Sequence, residues 1–99
     1  MNIIYKKRNT GKTTELIKIS AETGYYIVCA RQELANYIQC DAIKLGYKIP
    51  LPITYDEFLQ HKYNSHGIKG FLIDDAELLL ERISKTVPIH TITLTNLND

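Results

Sequence analysis

Apolar positions along the chain fall into short continuous runs separated by longer stretches of helical periodicity. Residues 1–5 (MNIIY), 25–30 (YYIVCA) and 71–74 (FLID) are runs too short for a helix and rich in β-branched or aromatic side chains, which predicts buried strands. Between them, residues 13–21 follow Gly11, carry Glu15 in the first turn and stop before Gly24, the pattern of a helix with a glycine C-cap. Residues 31–45 place Leu34, Tyr37, Ile38, Ala42 and Leu45 at helical spacing ahead of Gly46, predicting a second helix. Residues 50–55 suggest a brief extended piece. Thr54 with Glu57 three positions on then forms a capping box that opens a helix through about Lys62, followed by a polar loop over 63–69. Residues 77–84 form a further helix, ended by Pro88, with Leu78, Leu79 and Ile83 available to one apolar face. Residues 89–95 (IHTITLT) alternate and read as a last strand before a frayed tail at 96–99.

Continuous apolar strands alternating with amphipathic helices predict an α/β fold: three layers, α/β/α, around a small, mainly parallel sheet, in one domain spanning residues 1–99. Ligands of such sheets bind beyond the carboxyl ends of the strands, so the loops after Tyr5, Ala30, Asp74 and Thr95 share the rim where a site belongs.

Composition narrows the class without naming a substrate. Ninety-nine residues supply one small core, and 12 Lys and Arg against 11 Asp and Glu leave a net charge of +1, so an anion site must be local. The amino-terminal apolar run precedes its charges, unlike a secretory signal, and no run is long enough to cross a bilayer; a soluble, cytoplasmic protein with no membrane partner is expected. Cys29 and Cys40 lack metal-ligand or redox spacing and read as reduced structural thiols. His61, His66 and His90 have no metal-binding spacing, and most of the seven tyrosines read as packing rather than base-stacking residues.

The strongest chemical signal is the first rim loop, residues 6–14 (KKRNTGKTT). From Gly11 onward it fits the phosphate-binding pattern GxxxxGK[ST], with Lys6 standing where the first glycine belongs. Strand, loop and helix must follow in that order so that backbone N–H groups and the positive helix end face the anion. In that geometry Arg8, Asn9 and Thr10 belong to the loop, Gly11 allows close backbone approach, and Lys12 reaches the outer phosphates. Thr13 offers its hydroxyl to Mg²⁺, and Thr14 contacts the inner phosphate. Read blandly, Gly-Lys-Thr is a chance tripeptide in a basic turn; its place at a strand-to-helix junction argues against that.

About 60 residues downstream, FLID ends in Asp74 and Asp75, a carboxylate pair suited to holding Mg²⁺ and polarising a water. Asp74 takes the metal side, Asp75 the catalytic-base position, and Glu77 is a second candidate base. The competing reading has Asp74 capping the next helix while Asp75 and Glu77 decorate its first turn. Arg31, after the second strand, is a further candidate for phosphate or DNA and equally a solvated helix start.

With these two segments the chain resembles the P-loop nucleoside triphosphatases, and more narrowly the additional-strand ATPases that include helicases and phage terminase domains. Arg8 is similar to the arginine in terminase phosphate loops, and residues 53–59 (ITYDEFL) are similar to a strand-to-helix segment of helicases and terminases. The resemblance implies ATP and Mg²⁺ as cofactors, Lys12 and Asp75 as catalytic residues, and Thr95 (or Thr93) on the last strand as a sensor of the outer phosphate. It implies weak ATPase activity in phage or mobile-element DNA replication or packaging. The alternatives are a non-catalytic adaptor for a larger replication or packaging protein and a single-strand nucleic-acid binder using the loop from Lys6 to Lys12. An apolar edge at residues 2–5 would favour a homo-oligomer or a partner strand. No NKxD-type guanine motif occurs, which favours adenine.

Overall fold

The computed structural model describes residues 2–5, 11–63 and 67–95. Four helices, α1 (Lys12–Thr23), α2 (Gln32–Leu45), α3 (Tyr55–Leu59) and α4 (Ala76–Ser84), accompany three strands, β1 (Tyr26–Cys29), β2 (Ile53–Thr54) and β3 (Phe71–Ile73). The strands form one sheet in the order β2-β1-β3, and both pairings are parallel. Val28 sits opposite Ile53 on one side and Ile73 on the other, so β1 is the central strand. Its Ile27, Val28 and Cys29 are buried accordingly.

Strand alternation divides the core between the two faces of the sheet. Ile27 and Cys29 pack with Leu16 and Ile17 of α1 and Ala35, Ile38 and Ala42 of α2. Val28 packs instead with Ile53 and Tyr55, joined by Phe58 of α3, Phe71 and Ile73 of β3, and Leu79 of α4. The second face carries an aromatic cluster, in which the Phe71 ring lies 4.9 Å from Phe58 and 5.2 Å from Tyr63, centre to centre. β1, buried on both faces, is what a continuous apolar run predicts, whereas β3 is only half-buried.

Local chemistry sets the element ends. Ser20, buried in α1, donates to the Tyr25 carbonyl at 2.7 Å and ties the end of α1 to the start of β1. The capping box at α3 is formed in both directions, Glu57 N–H donating to Thr54 Oγ1 at 3.2 Å and Thr54 N–H to Glu57 Oε1 at 3.0 Å. α3 is shorter than expected, ending at Leu59 rather than near Lys62.

Two expected strands are absent from the sheet. Residues 2–5 and 89–95 form no strand, and 89–95 are exposed throughout, although Ile4 packs against the α1–α2 cluster. Alternation in 89–95 gives a capacity to pair, but with every one of these residues exposed no buried face fixes them on the free edge of the three-residue β3. Among the described residues no helix is long and apolar enough to cross a membrane.

Candidate functional site

The rim at the carboxyl ends of β1 and β3 gathers three pieces of chain. The first is the start of α1. Gly11, its N-cap, holds φ 84° and ψ 19°, a left-handed conformation that favours glycine, and its carbonyl accepts from Glu15 N–H at 3.0 Å. Gly11 has no side chain to cap this end, so it leaves the first N–H groups of α1, with their positive potential, open to another acceptor. Lys12, Thr13 and Thr14 form the first turn, all half-buried.

The second piece is the end of β3. Asp74 N–H donates to the Val28 carbonyl at 2.9 Å, continuing the ladder one residue past the strand. Asp75 then turns the chain with φ 52° and ψ 60° as the N-cap of α4, a conformation aspartate tolerates better than most residues. Its carboxylate makes no cap bond to α4. It is directed across the rim to Lys12, with Nζ to Oδ1 at 3.2 Å and 63 residues of chain between them.

Asp74 is pushed above the ordinary carboxylate range, first by burial and then by the neighbouring Asp75; Lys12 and a hydrogen-bonding interaction from the Thr13 side chain pull it back, while Glu77 adds to the rise. Lys12, Thr13, Asp74 and Asp75 therefore form one electrostatic group. The structure departs from the reading in which Asp74 caps α4 and Asp75 decorates its first turn: the N-cap is Asp75, and its side chain pairs with Lys12. Glu77 stays exposed in the first turn of α4.

The third piece is Tyr55, which follows β2. Pairing of Cys29 with Thr54 brings it to the same rim. Its ring is buried, and its hydroxyl shares its one proton between the Asp74 carbonyl and, at 2.8 Å, the Asp75 carbonyl. Burial, with the Asp75 and Asp74 charges, pushes this phenol above its usual range, so it remains a proton donor. The sequence reads most tyrosines as packing residues and does not single out Tyr55. The available signal was an aromatic residue with a polar tip at the carboxyl end of a core strand.

Other expected residues fall elsewhere. Lys6, Arg8, Asn9 and Thr10 lie outside the described residues, as does His66. Thr93 and Thr95 are exposed and in no strand, so the structure does not assemble the expected sensor strand. Arg31 pairs with Glu33 at 3.1 Å on the exposed start of α2, as a solvated helix start would. Cys29 and Cys40 are both free thiols. Cys29 is buried, its Sγ directed to the Ile53 and Arg31 carbonyls, and burial pushes it up to about 11; Cys40 is exposed. No group of three or more metal-ligating side chains occurs among the described residues. Two open surface hollows, of about 620 and 720 Å³, lie between α2 and β2 and between α3 and α4, away from Lys12.

No protein-family model matches the chain, and neither a curated protein nor a solved structure is significantly similar to it.

Proposed function

We propose that the chain binds a nucleoside triphosphate, ATP in preference, together with Mg²⁺, and hydrolyses it slowly through a P-loop-like site. The observation that carries this reading is the 3.2 Å contact between Lys12, at a helix start directly after a left-handed glycine N-cap, and Asp75, at the end of a parallel core strand. A chance Gly-Lys-Thr turn has no reason to meet the only Asp-Asp strand end in the sequence.

The residues fit a magnesium ion by their donor chemistry. Mg²⁺ takes oxygen ligands, commonly one or two carboxylates alongside substrate phosphates. The Thr13 hydroxyl and the Asp74 carboxylate are such donors, and Asp74 is a half-buried acid beside a second acid, a charge arrangement a cation relieves. When bound, the ion supplies neutralisation of phosphate charge. Lys12 and the first N–H groups of α1 bind the phosphates. Asp75 is positioned to accept a proton from water once Lys12 turns to the nucleotide. Two features support slow turnover: aspartate reaches less far than glutamate, and Asp75 is held by Lys12 before nucleotide arrives.

Calorimetric titration with ATP and with GTP in Mg²⁺ tests this, with phosphate release followed on the same samples. Saturable ATP binding that disappears in Lys12→Ala, and turnover that falls in Asp75→Asn, is the expected result. Equal binding by wild type and Lys12→Ala would overturn it.

A further inference from the structure

Tyr55 touches none of the groups assigned to nucleotide, yet its hydroxyl is spent on the two carbonyls that fix the Asp74–Asp75 turn. Asp74 is thereby held from both sides, its N–H on Val28 and its carbonyl on Tyr55. The next residue carries the left-handed φ of 52° that aims the Asp75 carboxylate at Lys12 instead of at α4. A left-handed non-glycine residue persists only where its surroundings over-determine it, and the Tyr55 bond at 2.8 Å to the Asp75 carbonyl is such a restraint. The donor is itself well anchored. The capping box fixes Thr54 and Glu57 on either side of it, and Arg82 of α4 grips Asp56 through two bonds, at 3.1 and 2.6 Å. An exposed ion pair thus links α3 to α4.

We propose that Tyr55 is a positioning residue of this site: its hydroxyl holds the Asp74–Asp75 turn in the conformation that presents one carboxylate to metal and the other to Lys12. The inference rests on the nucleotide reading for its functional meaning, while the geometric coupling is measurable without nucleotide.

Tyr55→Phe removes the hydroxyl and keeps the ring. In nucleotide-free protein the carboxyl carbon resonance of Asp75 should move toward its position in Lys12→Met, since the ion pair loosens when the turn is released. With ATP present, the Mg²⁺ concentration giving half-maximal binding should rise about tenfold, the scale on which residues behind metal ligands act, while ATP affinity without Mg²⁺ does not fall. A merely structural role would lower stability and leave both readouts in place. Unchanged Asp75 resonance and unchanged Mg²⁺ dependence in a folded Tyr55→Phe protein overturn the inference and leave the nucleotide reading standing. Absence of nucleotide binding in wild type, with the Asp75 resonance still moving, overturns the nucleotide reading and leaves the positioning geometry standing. Should Tyr55→Phe not fold, a fluorotyrosine placed at position 55 serves instead. Its fluorine resonance is expected to shift in Lys12→Met and to stay fixed in Lys18→Met, and no shift in Lys12→Met overturns the inference.

Discussion

Replacing Gly11 by alanine separates backbone strain from ligand binding, because the same helix carries a matched control at its other end. Gly11 and Gly24 flank α1 with φ of 84° and 77°, and a Cβ added at either meets no atom within 4 Å. The stability cost of each substitution is therefore conformational alone. Holding an alanine in the left-handed region costs roughly 1–2 kcal/mol. The reduced freedom of the unfolded alanine chain offsets about 0.4–1 kcal/mol of that. A net loss of about 1 kcal/mol is expected for each variant, a fall in melting temperature of roughly 4–8 °C for a domain of this size. Their effects on nucleotide should diverge. Gly24 caps the far end of α1 through its N–H to Ser20, whereas Gly11 directly precedes Lys12. Thermal melts followed by circular dichroism give the first quantity, and Mg²⁺-ATP titration gives the second. Gly11→Ala should weaken binding at least tenfold, a difference of about 1.4 kcal/mol, while Gly24→Ala binds as wild type. Matched losses of stability with matched binding would refute the assignment of Gly11 to a phosphate loop. A Gly11→Ala protein as stable as wild type would refute the strain argument itself.

Two other predictions concern acid and cap. Asp74 has a folded-state pKa above its unfolded value, so its ionisation weakens the fold: its contribution is fully present below the ordinary carboxylate range and is lost as pH rises through the raised folded value. Asp74→Asn should therefore be more stable than wild type at neutral pH, with the advantage shrinking as pH falls toward the unfolded value; denaturant melts across that range check it, and a constant difference would contradict it. Thr54→Ala breaks the capping box of α3 and should cost about 1 kcal/mol in a urea melt, with no loss at all contradicting the reading of that helix start.

The centre of the fold was legible in the sequence because its signals are local. β1 announces itself as an unbroken apolar run, α1 and α2 by periodicity and terminal glycines, and α3 by Thr54 and Glu57. The flanks were not legible for the opposite reason. Alternation in residues 89–95 expresses a capacity to pair, but whether a strand forms depends on the neighbour, and β3 offers an edge of three residues. The site divided the same way. Gly-Lys-Thr and Asp-Asp could be read as motifs, and the fold brings Lys12 to Asp75. Tyr55 could not, since its role comes from a parallel register between β1 and β2 that carries it beneath a turn 20 residues further along. Thr95 shows the converse failure: a role that depended on a last strand has no support once residues 89–95 form none.

The central claim is that Lys12 exchanges Asp75 for a phosphate. The direct measurement is the side-chain ammonium resonance of Lys12 and the carboxyl resonance of Asp75, followed together while Mg²⁺-ATP is added. Both should move along the same saturation curve, reaching half their displacement at one ATP concentration, with Asp75 ending near its position in Lys12→Met. Nucleotide that binds while the two resonances stay where they are would place it elsewhere on the protein and contradict the account.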